Sequence, residues 1–400
     1  MIVHFHYSSN PNSGEIRRIR NIDNEICNVS NSKCVEVEFY SMREGIRIKE
    51  DNRFKLSSNV FKKYYIPLMP FSGKCWIMQK ICDIWTSIVI FCIYIAYKPK
   101  FIIGEFSISY SAMLFKHFIK SVFIADMHGA LPEEYTYNNS HVNKWKLNYL
   151  EDLERATSLK ADYIICQSEE MKRHIIKKYS AIESKAFVYK CGVDTDLFRY
   201  DVAVRKQIRQ QLGIPNDCLV FVYSGGLMKW QKIEESMQIF EKIRKNVTSS
   251  KFLILTRDLD LVKEYISKLN LDYICDDIIA LSVPFNQVSD YLNCADVAFL
   301  LRDDDVMNRV ASPTKLAEYL ACGLPVISDT VANYWVDNEM IADNSIICYN
   351  DNMSIDDLIA TINTCNKLSI RKHAEQKFSL DIDSQNIYAM FKFINKNLHI

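Results

Sequence analysis

Two hydrophobic patterns alternate along the 400-residue chain. Short, nearly continuous apolar runs occur at Met1–Tyr7, Cys34–Tyr40, Phe101–Gly104, Val122–Ala125, Ala161–Ser168 and Phe187–Tyr189. They return at Leu219–Tyr223, Lys251–Thr256, Ile278–Val283, Ala295–Leu301 and Val326–Ser328. Runs of this length predict strands buried on both faces, as in a parallel sheet. Between them, Leu147–Lys160, Glu169–Tyr179, Ile233–Arg244, Val288–Asn293, Ser354–Cys365 and Asp381–Asn397 have helical character, with Ser168 placed to cap the second of these. Strand and helix in alternation predict an α/β fold with doubly wound sheets. The segment Asn52–Phe71 shows no regular pattern.

One stretch stands apart. Trp76–Tyr97 is strongly apolar, and Ile84–Tyr97 carries no charge. That charge-free run is shorter than the ~20 residues that span a bilayer. It predicts a helix filling the space under a parallel sheet. A helix with one face in a membrane interface is the other reading, with Lys74, Lys80, Lys98 and Lys100 flanking it.

Length suits two domains rather than one core. Lys plus Arg and Asp plus Glu balance at 49 each, with no basic stripe, which argues against a nucleic-acid partner. Thirteen cysteines are scattered without a C-x-x-C pair, so neither structural zinc nor a disulfide framework is expected, and a reducing, cytoplasmic setting is. The N-terminus lacks the basic start and apolar run of a signal peptide.

The chemistry concentrates in Ser312–Ser328. Ser312 reads as an N-cap, Pro313 as the first helical residue and Gly323 as a left-handed stop. Leu316 and Leu320 share the core side; Thr314 and Glu318 share nearly the opposite one, next to Lys315. Free amides at a helix start attract a diphosphate, and a carboxylate one turn on can accept from two ribose hydroxyls. An ordinary surface helix with Glu318 in water has the same pattern. Elsewhere, Gly225 and Gly226 lie between a strand and a helix, where glycine lets a phosphate approach the backbone. Asp126-Met127-His128-Gly129 ends a strand, and the polar loop Ser8–Glu15 follows the first one. Asp303-Asp304-Asp305 reads as a solvated loop rather than a metal site.

Ser312–Ser328 resembles the donor-site segment of family 4 glycosyltransferases, and weaker likenesses cover most of the chain. The resemblance implies a GT-B fold: two Rossmann-like domains facing across a cleft, here 1–190 and 191–378, with a last helix, 379–400, crossing back to the first. It implies that Glu318 binds ribose and that Ser312, Pro313, Thr314 and Lys315 face the diphosphate. Gly14, Gly225 and Gly226 would lie near the donor, and main chain at Val283 would read the base. His128 would sit beside the reacting sugar, with Asp126 in the same segment. The chain departs from the family at three donor positions and at the linker. Val310 replaces a second glutamate, Gly226 an arginine, Gln231 a lysine, and Cys191 a linker asparagine. Lys229 or Lys232 would then have to supply the missing charge. The implied activity is sugar transfer with retention, from a nucleotide diphosphate sugar to a glycan or lipid-linked acceptor, without metal or cofactor. Surface polysaccharide is the implied setting, with peripheral contact at the inner face of a membrane. A sugar-nucleotide epimerase and a non-catalytic binding protein of the same fold are the alternatives.

Overall fold

The computed structural model describes residues 1–7, 14–41, 60–69, 73–112, 115–350 and 352–397. The chain divides into two compact units: Met1–Cys191 with Val310–Ser312 and Asp383–Ile400, and Gly192–Arg309 with Pro313–Ile382.

The first unit is built on seven parallel strands: β1 (Ile2–Tyr7), β2 (Cys34–Tyr40), β3 (Val60–Pro67), β4 (Phe101–Glu105), β5 (Val122–Met127), β6 (Tyr163–Cys166) and β7 (Ala186–Val188). Their order across the sheet is β3-β2-β1-β4-β5-β6-β7. Strands β1, β2, β4 and β6 are almost wholly buried, and β6 reads as an unbroken apolar run, while β1, β2 and β4 also bury His4, His6, Glu36, Glu38 and Glu105. The edge strand β3 falls in the stretch that shows no pattern in the sequence. It is only half-buried, and Lys63 reaches Glu38 Oε2 at 2.7 Å and Glu36 Oε2 at 3.2 Å on β2. An edge strand with lysines needs no apolar run.

Trp76–Tyr97 is a single 22-residue helix, but it does not fill the core as the charge-free run suggests. Only 33% of its most apolar window is buried, although by length and composition it could cross a membrane. Its inward face is partly polar: Asp83, Thr86 and Ser87 are buried there beside Cys82, Val89 and Ile90. Hydrogen bonds hold that face, Tyr149 Oη donating to Asp83 Oδ1 at 2.8 Å and Ser87 Oγ to the Ser111 carbonyl at 2.7 Å. The isoleucines Ile77, Ile81, Ile84, Ile88 and Ile95 lie outward and are 42–62% exposed.

The last helix, Leu380–Asn397, contributes Ile387, Met390, Phe391 and Ile394 to the same core cluster as Ile2, Phe101, Ile103 and Ile165. Phe391 meets Phe101 edge-on, ring centroids 5.1 Å apart.

The second unit has six parallel strands: β8 (Leu219–Ser224), β9 (Ser250–Leu255), β10 (Ile278–Leu281), β11 (Val297–Leu300), β12 (Val326–Ser328) and β13 (Ile346–Cys348), ordered β10-β9-β8-β11-β12-β13. Separate apolar clusters cover its two faces, one including Leu316, Leu320 and Trp335, the other Met237, Phe240 and Leu358. In both sheets the winding direction reverses once, between β1 and β4 and between β8 and β11. The carboxyl ends of strands at such a reversal form the crevice where doubly wound folds take ligands.

Because Phe391 is fully buried against Phe101, Phe391→Ala should cost the first unit about 3–5 kcal/mol. Calorimetric unfolding should show the loss; an unchanged melting profile would mean that this helix does not complete the core.

Candidate functional site

At the β8–β11 reversal in the second unit, Gly225 follows β8 with φ +136°. That φ disfavours any other residue, and a Cβ there would lie 2.3 Å from Lys315 Cε and Nζ, forcing the lysine's end to move. Lys315 is half-buried against this turn. Its Nζ donates to Tyr223 Oη and Gln231 Oε1, both at 2.9 Å, and sits 4.6 Å from the Tyr223 ring centroid. Neither acceptor is a carboxylate. Burial, with the nearby Arg302 charge, pushes Lys315 well below the usual lysine range, while Glu318 pulls the other way. Arg302 follows β11, is buried, and donates from its Nη2 to the same Gln231 Oε1. Two cations thus converge on one neutral amide oxygen. Sequence reasoning missed Arg302, which belongs to no motif; its only signal is its position one residue after a strand run at the reversal.

The helix Thr314–Ala321 brings Lys315 and Glu318 to this point. Its start differs from the reading in the sequence: Pro313, not Ser312, holds the N-cap position, and no side chain caps the helix. Ser312 is drawn elsewhere, its Oγ accepting from the Cys191 amide at 3.1 Å. Thr314 opens the helix and Gly323 ends it at φ +71°. Leu316 to Ala321 are all buried, Glu318 at 6% exposure, so the surface-helix reading fails. Val310 is also buried, at 2% exposure.

Of the other predicted donor residues, Gly226 is exposed, and a Cβ there would meet only Asp258 Oδ2 at 4.0 Å. Lys229 is exposed in a short 3-10 turn. Lys232 is committed: Nζ lies 3.3 Å from Asp303 Oδ1 and 3.5 Å from Asp329 Oδ2. The three aspartates in a row are each engaged by protein groups, Asp303 by Lys232, Asp304 by Arg309 at 2.6 Å, and Asp305 by Asn308 at 2.9 Å. Val283 stands between β10 and the helix Phe285–Asn293.

In the first unit Asp126 ends β5 fully buried, with His128 just beyond. His128 Nε2 lies 2.6 Å from Asp126 Oδ2, so a proton on Nε2 is donated to the carboxylate. Arg18, on the helix Gly14–Ser30, reaches the same oxygen and approaches His128 Nε2 to 3.2 Å. Burial would raise the Asp126 carboxyl, but Arg18 and His128 hold it well below the usual carboxylate range. Arg18 is anchored in turn by donating from Nη2 to the Tyr189 carbonyl at 3.1 Å. It too was invisible in the sequence, one basic residue among several in a helix. Gly14 is the first residue of that helix; 8–13, the rest of the predicted loop, lie outside the described residues.

Arg18→Met should strand a buried carboxylate and cost about 3–5 kcal/mol at neutral pH. Asp126 is depressed in the folded protein, so its pairing contributes above the unfolded carboxyl pKa and is lost as pH falls through the folded value. In the variant only His128 still opposes burial, Asp126 protonates more readily, and the stability gap to wild type should narrow on acidification. A gap constant between neutral and mildly acid pH would contradict the pairing.

No family profile and no curated protein matches the chain. Solved structures do. Sucrose-phosphate synthase from Thermosynechococcus elongatus aligns over 99% of each chain at TM-score 0.73 and 12% identity. Anabaena Alr3699/HepE in complex with UDP aligns over 98% of this chain and 99% of that one, at TM-score 0.70 and 14% identity. WaaG, a glycosyltransferase involved in lipopolysaccharide biosynthesis, gives the same coverage at TM-score 0.70 and 11% identity. With two parallel sheets and alternating helices along nearly its whole length, the chain has the GT-B fold of these glycosyltransferases.

Proposed function

We propose that the protein is a retaining, metal-independent glycosyltransferase that moves a sugar from a nucleotide diphosphate donor to a hydroxyl of a glycan or lipid-linked acceptor. The observation that carries this reading is Lys315, half-buried at the β8–β11 reversal with only neutral hydrogen-bond acceptors. A partly desolvated ammonium without an anionic hydrogen-bond partner suits a bound anion. HepE, solved with UDP and with UDP-glucose, makes UDP the first nucleotide to try.

Lys315, Arg302 and the amides that open the Thr314–Ala321 helix would meet the diphosphate, while Glu318 accepts from ribose hydroxyls and main chain at Val283 meets the base. Arg302 then takes the part that the sequence assigned to Lys229 or Lys232, since Lys232 is already paired with aspartates. The incoming hydroxyl attacks the anomeric carbon on the face from which the diphosphate departs. Its oxygen–carbon bond forms as the carbon–phosphate-oxygen bond breaks, and the leaving phosphate takes the hydroxyl proton. Negative charge grows on that phosphate, where the two cations stabilise it. His128 would act at the sugar, with Asp126 and Arg18 fixing its tautomer and orientation rather than touching substrate. A lipid-linked acceptor for surface polysaccharide, met at the inner face of a membrane, is favoured by the exposed isoleucine row on Trp76–Tyr97.

Calorimetry with UDP and GDP tests the donor site. One nucleotide should bind, and Glu318→Gln or Lys315→Met should each weaken it by roughly ten- to a hundred-fold, as for a lost hydrogen bond to a charged group. Failure of every nucleoside diphosphate to bind would leave a non-catalytic protein, and isomerisation of a donor incubated alone would indicate an epimerase.

Lys315 also sets a pH dependence. Its pKa is depressed in the free protein, and a bound diphosphate should raise it, so binding takes up a proton. Affinity should fall as pH rises, and Lys315→Met should flatten that slope. The proton balance follows from calorimetry in buffers of different ionisation enthalpy; proton release on binding would contradict it.

Transfer should survive excess chelator. Activity lost on chelation and restored by magnesium or manganese would overturn the metal-independent mechanism.

A further inference from the structure

Three helices of the first unit bring together a cluster that the transfer reading does not use. Glu133 lies in the first turn of Leu131–Asn138, Glu154 on Lys144–Lys160, and His174 on Glu169–Lys178. One oxygen of each carboxylate and one ring nitrogen of His174 all lie within 4.8 Å of one another. The three residues are far apart in the chain and include no cysteine, so a search of the sequence for metal-ligand spacing passes over them.

Charge and hydrogen bonding are both left incomplete there. Glu154 is fully buried, and its Oε2 accepts no hydrogen bond. Its Oε1 accepts from Tyr179 Oη at 3.1 Å and pairs with Lys178 Nζ. The same Nζ lies 3.1 Å from Glu133 Oε1, so one ammonium answers two carboxylates. A negative charge is left over in a place where an uncompensated charge is costly. Glu133 Oε2 and His174 Nε2 are likewise buried atoms without a hydrogen-bond partner. His174 Nε2 comes to 3.2 Å from Glu133 Oε1. Two ligands bound at roughly 2.0–2.1 Å to a tetrahedral zinc stand about 3.3 Å apart, so this pair is already at ligand spacing.

We propose that Glu133, Glu154 and His174 bind a divalent metal ion of the zinc type, in place of Lys178. One imidazole and two carboxylates make a mixed nitrogen and oxygen set, which suits zinc, whereas magnesium and calcium call for oxygen ligands. Two positive charges match the two carboxylates. Lys178 is the last residue of its helix and its side chain is 30% exposed, so the ammonium can turn out to water as the metal enters. In the metal-free chain it stays between the carboxylates, and removal of the metal leaves a paired cluster rather than two bare charges. The ion ties three helices together and touches no group assigned to transfer, so the inference stands apart from that reading.

The test is a zinc titration of the full chain after chelator treatment and exchange into metal-free buffer. Wild type should take up one zinc ion at least about ten- to a hundred-fold more tightly than His174→Gln or Glu133→Gln, a loss that even partners outside the ligand shell can cause. Lys178→Met should do the reverse: melt lower than wild type when metal-free, bind zinc more tightly, and regain its melting temperature when zinc is added. Cobalt, used as a probe in place of zinc, reports the ligands. At one equivalent its visible spectrum should be that of four-coordinate cobalt without the charge-transfer band of a thiolate, which any of the thirteen free cysteines would add. Equal zinc affinity in wild type and His174→Gln, no gain in Lys178→Met, or a thiolate band at the first equivalent would overturn the inference. Should a glutamine variant fail to fold, the cobalt spectrum of wild type still decides. UDP affinity measured on the metal-free protein reports the donor site separately, so either result leaves the other standing.

Discussion

Seating a half-buried lysine with no carboxylate among its hydrogen-bond partners is the constraint on which the second unit's crevice depends. Its charged form is disfavoured there until an anion arrives. Tyr223 contributes both its hydroxyl and its ring face, and Gln231 an amide oxygen shared with Arg302. Gly225 is favoured by its φ of +136°, and a side chain there would also displace the lysine's terminus. Tyr319 holds the strand end in place, its hydroxyl accepting from the Ser224 amide at 2.8 Å. Each of these residues is ordinary in the sequence, and their meaning comes from the cation they surround.

The first unit solves a related problem the opposite way. There the buried charge is a carboxylate, and its cation is supplied internally by Arg18. Asp126 is thereby matched within the protein, whereas Lys315 has no carboxylate among its hydrogen-bond partners. The contrast separates a device that fixes an imidazole from one that awaits a ligand. It rests on the pairing of each charge rather than on its exposure.

Most of the architecture was legible because parallel strands buried on both faces leave unbroken apolar runs. β3 escaped because an edge strand can carry Lys62 and Lys63, and the three-residue β13 escaped as well. Ser312–Ser328 revealed Lys315 and Glu318 through helix punctuation, yet the cap fell one residue later than the sequence suggests. Arg18 and Arg302 could not be found, since an arginine joins a site through backbone paths that spacing does not encode. The Trp76–Tyr97 helix misled for a different reason. A count of apolar residues says nothing of which side faces inward, and the signal lay in Asp83, Thr86 and Ser87, a polar stripe at helical spacing.

The place of the Leu380–Asn397 helix has a consequence for the life of the chain on the ribosome. Ile2 begins the first strand, yet the cluster around it is closed by Ile387, Met390, Phe391 and Ile394. Those residues are made long after Ile2. The first unit therefore emerges with part of its core surface uncovered, and stays so until this helix has been made. Domains usually fold as they leave the ribosome, N-terminal first, and exposed apolar surface in a waiting intermediate invites aggregation. Here the first strand to be made is among the last to find its full set of neighbours, so the order of synthesis and the order of completion differ.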